Sequence, residues 1–153
     1  MKEITGNIWE QKCDWLCITT NGIVKNSGNS YLNGEAVMGA GIAKQAKERY
    51  PDLPLKLGKK IKEKGNVVSC LGKRDGKWII SFPTKNDWKD KSSIELIKQS
   101  ASQLKNYFDK QEVKPVVIIP RPGCANGGLN WEDVKKEIEN ILVDDNFLII
   151  SQG

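Results

Sequence analysis

Histidine is absent from all 153 residues. That removes Ser-His-Asp and Cys-His catalysis, so any acid–base chemistry must use Lys, Asp, Glu, Tyr or Cys. It also leaves cysteine without its usual partner at zinc. The four cysteines, at 13, 17, 70 and 124, include no C-x-x-C pair, and no metal site is expected. Apolar flanks suggest reduced, structural thiols. No apolar run is long enough to span a bilayer, so no membrane partner is expected. "MKEITGNIWE" lacks the apolar stretch of a secretory signal, which points to the cytoplasm. Linkers, repeats and low-complexity tracts are also missing. One domain over residues 1–153, acting as a monomer, is the expectation.

Lysine is plentiful. The formal net charge is +5, which suits an anionic ligand or a nucleic acid, or simply a solvated surface. The lysines at 56, 59, 60, 62 and 64 leave the same two readings open.

Hydrophobic patterning alternates between strand and helix periods. Strands are predicted over 3–10 and 14–20. A long polar, glycine-rich stretch covers 21–40. A helix over 42–50 ends at Pro51, and a lysine-rich helix runs to Lys64. Strands over 66–72 and 77–83 flank "KRDG", a hairpin signal. After a polar loop at 84–91, a helix starts at Ser92, with Ser92 and Glu95 as a capping box. Its apolar face is Ile94, Ile97, Ala101, Leu104 and Phe108. "PVVII" (115–119) is a buried strand. Asn130 caps the last helix, with Trp131, Val134, Ile138 and Ile141 inward. "FLII" (147–150) is a final strand. This order predicts an α/β three-layer domain around a mixed, mostly parallel sheet. Ligands of such sheets sit at the carboxyl ends of strands, where the polar loops 21–40, 84–91 and 121–129 emerge.

Two of these segments are glycine-rich turns into helices. In "AVMGAGIAKQA", Gly39 and Gly41 flank Ala40, so only small groups separate the backbone from a ligand. "PRPGCANGG" (120–128) lies between a buried strand and a helix. A glycine cluster there lets the backbone approach something closely, and helix N-termini present free N–H groups to phosphate. Each turn alone is also explained as a tight junction. Together they suggest a diphosphate. The spacing is neither a Rossmann G-x-G-x-x-G nor a P-loop.

"ITTNG", "AVMGAGIAKQA", "SFPTKNDW" and "IPRPGCANGGLNWEDV" resemble, in order and spacing, the macrodomain family over essentially the whole chain. The nearest resemblance is to macrodomains that reverse ADP-ribosylation through a lysine. These are the terminal ADP-ribose protein glycohydrolase, the antitoxin macrodomains acting on DNA, and small phage and bacterial macrodomains. The resemblance implies ADP-ribose as ligand, with no cofactor, and an ADP-ribosylated macromolecule, nucleic acid or protein, as partner. Met38, Gly39, Ala40, Gly41, Ile42 and Ala43 would line the diphosphate and distal ribose. Arg121, Gly123, Cys124, Ala125, Asn126, Gly127, Gly128 and Leu129 would form the second phosphate loop. Asn21 would lie near the distal ribose. Asn7 and Ile8 match a "G-D-I" element whose aspartate accepts from adenine; the amide of Asn7 still accepts but carries no charge.

In the same way Lys85, after Thr84, matches the lysine that engages the anomeric carbon. A lysine just past a buried strand, near Pro83 and Trp88, can be made nucleophilic by desolvation; a solvated loop lysine is the plainer alternative. The protein-directed type carries an aspartate near Gly127, whereas this chain has "ANGG". Glu132 and Asp133 sit at a helix start, and Asp87 lies in the loop. Trp88 either stacks on a base or anchors its loop. Cys124 fits as a small buried side chain. Three functions are consistent with these residues: an ADP-ribosyl hydrolase using Lys85, a non-catalytic ADP-ribose or nucleotide binder, and a phosphatase on ADP-ribose phosphate.

Overall fold

The computed structural model describes residues 1–26 and 33–152, so part of the glycine-rich stretch 21–40 lies outside the described residues. The strands are β1 (Lys2–Thr5), β2 (Trp15–Thr20), β3 (Ser69–Arg74), β4 (Lys77–Pro83), β5 (Val117–Pro120) and β6 (Phe147–Ser151). They form one sheet in the order β1-β6-β5-β2-β4-β3. Every neighbouring pair is parallel except β3 with β4. The helices are α1 (Gly41–Arg49), α2 (Leu53–Lys64), α3 (Ile94–Asp109) and α4 (Trp131–Ile138).

Alternating strand residues feed two cores, one on each sheet face. Cys17, Ile80, Phe82, Val117 and Ile119 meet Ile97, Leu104 and Phe108 of α3 and Val134 and Ile138 of α4. Leu16, Ile18, Ile79 and Ile118 meet Ala43 and Ala46 of α1 and Leu53 and Leu57 of α2. The three-layer α/β/α expectation is therefore met. In parallel strands the alternation is apolar on both faces, which is why these runs read as continuous hydrophobic stretches.

Local chemistry sets the boundaries. The "KRDG" hairpin turns at Asp75 and Gly76, whose φ values of +52° and +79° are those of a primed turn. The strand expected over 3–10 stops at Thr5. Gly6 takes φ +150°, and Asn7 then caps a 3-10 turn, Ile8–Glu10, by accepting from Trp9 N. The cap of α3 is Ser93 rather than Ser92: its hydroxyl accepts from Leu96 N at 3.2 Å. Both serines precede an apolar run, and the packing of Ser92, described below, decides between them. Asn130 caps α4 as expected, accepting from Glu132 N at 2.9 Å. Ile141 falls beyond the end of that helix.

Glu3 of β1 ties the sheet edge to α4. Its Oε1 accepts from Trp131 Nε1 at 2.7 Å, and its Oε2 from Lys135 Nζ at 2.9 Å. Arg121 lies 3.6 Å from Oε1. The Lys135 and Trp131 hydrogen bonds hold the Glu3 carboxyl below its ordinary value of 4.5. A carboxyl depressed in the folded state contributes stability above its unfolded value and loses it as pH falls through the folded one. Glu3→Gln is therefore expected to lower the urea midpoint at pH 7. The gap from wild type should shrink below pH 4.5. A pH-independent gap would assign the effect to the indole hydrogen bond alone.

Candidate functional site

Strand β2 lies between β4 and β5 and is parallel to both, so their carboxyl ends open on one rim. A cleft of about 450 Å³ lies there. Thr19, Thr20 and Asn21 come from the end of β2, Thr84 and Lys85 from β4, and Pro120 and Arg121 from β5. Gly39 to Ala43 line one side, and Gly123, Ala125, Asn126 and Gly127 the other.

The first wall is a helix end without a cap. Ala40 occupies the N-cap position of α1 and offers no side-chain acceptor. Among the described residues, the N–H groups of Gly41, Ile42 and Ala43 have no partner. They keep the positive end of the helix dipole open to the cleft. By contrast, α3 and α4 are both capped by side chains. A Cβ added at Gly39 would touch nothing within 4 Å. The protein itself does not require glycine there; close approach of another molecule would.

Loop 121–129 forms the second wall. It folds on itself through Leu129 N to Gly123 O at 2.9 Å, with Gly123 at φ +74° and Gly128 at φ +75°. The N–H groups of Ala125, Asn126 and Gly127 are without partners among the described residues. Successive free N–H groups on a turned backbone make an anion-binding concavity. Ser92 lies beneath: its N–H donates to Gly127 O at 3.0 Å. A Cβ at Gly127 would stand 2.1 Å from Ser92 Oγ and 2.4 Å from Gly123 O. The loop's glycines thus have two different causes, a steric one at 127 and a conformational one at 123 and 128.

Lys85 stands between the walls. It is half-buried, and its Nζ lies 3.4 Å from both Trp88 O and Asn126 O. Asn126 also reaches across the cleft, its Nδ2 3.0 Å from where a Cβ of Gly41 would be. Among the described residues lining the cleft, the charged ones are Lys85 and Arg121, and none is a carboxylate. Three buried side-chain polar atoms lack a partner among the described residues: Thr20 Oγ1, Ser92 Oγ and Arg121 Nε. All three belong to residues of this cleft. An unpaired buried polar group costs about 1–3 kcal/mol, and these three are gathered at one site.

Of the remaining expected residues, some lie outside the cleft and others line it with their side chains engaged locally. Met38 is buried in the core beside α1. Leu129 and Cys124 pack against the opposite core, and Cys124 Sγ lies 3.3 Å from Pro122 O. Burial pushes the Cys124 thiol up from its ordinary value, so the residue is a packing element and not a thiolate. Gly128 faces the Lys91 side chain. Asn7 and Ile8 line a separate concavity of about 460 Å³ with Trp9, Gln45 and Arg49. Gly41, which lines the cleft, and Gln45 and Arg49, which line the concavity, share one face of α1 at four-residue steps. Asn21 lines the cleft, but its amide is engaged locally, donating to Val37 O and accepting from Ile23 N, both at 3.0 Å. The Arg121 guanidinium extends toward Glu3 and lies 5.3 Å from the Trp131 ring.

Sequence reasoning missed Thr19, Thr20, Val37, Ser92 and Pro120. The two threonines close a strand whose neighbours all point to its carboxyl end, and that was an available signal. Ser92 had none, because its place under the loop is a tertiary fact. Among the described residues, no helix is long and apolar enough to cross a membrane, and no cluster of His, Cys, Asp or Glu is arranged to hold a metal ion.

The sequence pattern of the Macro domain family matches residues 26–138. The chain belongs to that family. Over 114 residues it is 37% identical to the DNA ADP-ribosyl glycohydrolase of Mycobacterium tuberculosis, covering 70% of this chain and 32% of that protein. The chain thus spans about a third of that relative's length. It is 33% identical over 111 residues to ADP-ribose glycohydrolase OARD1 of Homo sapiens, covering 72% of this chain and 70% of that one. The macrodomain of Mycobacterium tuberculosis DarG superposes with a TM-score of 0.77 at 28% identity, covering 99% of this chain and 97% of that one. The resemblance read from the glycine turns and "FPTK" is therefore a family membership. Both walls of free N–H groups lie within the matched residues.

The two kinds of glycine separate experimentally. Gly127→Ala is expected to lower the melting temperature by several degrees, as overpacking of about 1–3 kcal/mol does. Gly39→Ala should leave it within about a degree, since a Cβ there has open space. Equal shifts in differential scanning fluorimetry would refute the distinction.

Proposed function

We propose that this Macro domain binds ADP-ribose in the cleft and hydrolyses an ADP-ribosyl bond through Lys85. The observation that carries this reading is a lone lysine nitrogen held between two walls of N–H groups without partners among the described residues, in a cleft whose described lining residues include neither histidine nor carboxylate. The diphosphate would take the N–H groups of 41–43 on one side and of 125–127 on the other. The adenosine end would run along α1 toward Ile8 and Gln45. The distal ribose would then lie at Lys85. Glycohydrolase activity named for two relatives supports the same reading.

The chemistry balances without a metal or a second acid. The neutral amine of Lys85 attacks the anomeric carbon, and the bond from that carbon to the acceptor breaks. The acceptor leaves with the electron pair and takes the proton that the attacking nitrogen sheds. Water then adds to the anomeric carbon, the carbon–nitrogen bond breaks, and ADP-ribose and the free lysine result. The walls hold the diphosphate still while the carbon is displaced, which is an orientational contribution.

One observation favours a second reading. With no carboxylate on the described lining, nothing there but lysine accepts a proton, which suits a module that binds ADP-ribose without turnover.

Lys85→Ala decides between the two. ADP-ribose affinity by calorimetry is expected to stay within a few-fold of wild type. Release of ADP-ribose from a modified oligonucleotide or peptide should fall at least about a hundredfold. Wild type that binds ADP-ribose and releases none would establish the binding module. Release unchanged in the variant would remove Lys85 from the chemistry.

A further inference from the structure

We propose that Trp88 is a stacking platform for a nucleobase on the acceptor side of the cleft, so that the site selects ADP-ribosylated nucleic acid over ADP-ribosylated protein. The proposal rests on the cleft being an ADP-ribosyl hydrolase site.

Trp88 differs from the tryptophans that build the fold. Trp15 packs against the core beneath α3 and α4, and Trp131 belongs to that core; Trp9 packs against the core beneath α1 and α2. Trp88 joins neither cluster and is 50% exposed. It lines the cleft, and its carbonyl lies 3.4 Å from Lys85 Nζ. A large apolar ring left half in water forgoes the stabilisation that burial gives. Such a ring beside a reacting centre has surface to offer a partner.

The loop that carries it is held from several sides. Asn66 Nδ2 donates to Lys85 O at 2.9 Å and to Asn86 Oδ1 at 3.1 Å. Gly22 N donates to Asn86 O at 3.1 Å. Asp87 Oδ1 accepts from Lys89 N at 3.0 Å, and Ser93 N donates to Thr84 O at 2.9 Å. The indole therefore projects from a braced backbone, and a platform that is already in place loses little on binding.

Charge points to the same class of guest. Lys89 Nζ lies 5.6 Å from the Trp88 ring centroid, a cation–π contact on the ring. The Lys91 stem runs beside Gly128 of the second wall. A base stacked on the open part of the indole would place its flanking phosphates among Lys85, Lys89 and Lys91. Alternating aromatic and basic side chains are how single strands are held without sequence readout. When the acceptor is itself a base, its plane lies one bond from the anomeric carbon, and so beside the residue whose carbonyl touches Lys85. A peptide acceptor brings no such plane.

The test uses wild type, Trp88→Ala and Trp88→Phe, each with a single-stranded oligonucleotide ADP-ribosylated on a base and with an ADP-ribosylated peptide. Trp88→Ala is expected to lower kcat/KM on the oligonucleotide about tenfold or more. Trp88→Phe should recover most of it. Turnover of the peptide and the affinity for ADP-ribose should change far less. Fluorescence anisotropy with the unmodified strand, which needs no turnover, should show weak binding by wild type and loss in Trp88→Ala. Equal losses on oligonucleotide and peptide, or a matching loss of ADP-ribose affinity, would make Trp88 a wall for ADP-ribose and overturn the proposal. So would unchanged oligonucleotide turnover and strand binding in Trp88→Ala. Strand binding that depends on Trp88, with no release by wild type, would keep the platform and end the hydrolase reading instead.

Discussion

Ser92 sits so tightly under loop 121–129 that a single methyl at Gly127 would meet its hydroxyl and the Gly123 carbonyl at once. Ser92 N holds Gly127 O, and Ser93 N holds Thr84 O. The start of α3, the end of β4 and the second wall of the cleft are thereby one rigid unit. Lys85 follows Thr84 directly, so its distance to Asn126 is set by this unit and not by the lysine's own rotamer alone. The contact also explains why Ser93 and not Ser92 caps the helix: Ser92 is committed to the loop.

On the proposed reading, recognition of the diphosphate falls mainly to the backbone. Side chains supply two charges, Lys85 and Arg121, and Arg121 is partly drawn off by Glu3 and Trp131. The rest comes from N–H groups at an uncapped helix and a turned loop. Backbone donors lose no rotamer freedom on binding and do not titrate. They are also indifferent to most side-chain replacement nearby. Side chains at the rim could accordingly change to suit a different acceptor while the proposed backbone grip on the diphosphate stays the same.

The α/β order was legible because the strands and helices have clean periods and the turns carry glycine or proline. The "KRDG" hairpin and the Asn130 cap were legible for the same local reason. The glycine turns also showed that the backbone approaches something closely. What they did not show is which glycine serves the ligand and which serves the packing. Gly39 and Gly127 look alike in sequence and differ only in what surrounds their missing Cβ. Met38 lies inside a motif and yet points into the core. Thr20 and Ser92 are buried hydroxyls at the site because distant elements close over them, and no local pattern encodes that. Asn7 illustrates the opposite error: β propensity extended a strand that a glycine with positive φ in fact ends.

The open N-terminus of α1 has one more consequence. A helix normally carries its own first acceptor. On the proposed reading this one leaves that place to the diphosphate, which is then the missing end of the secondary structure. Filling the cleft and finishing the helix are then a single event. The free energy that appears as affinity in a binding experiment is the same free energy that appears as added stability in an unfolding experiment.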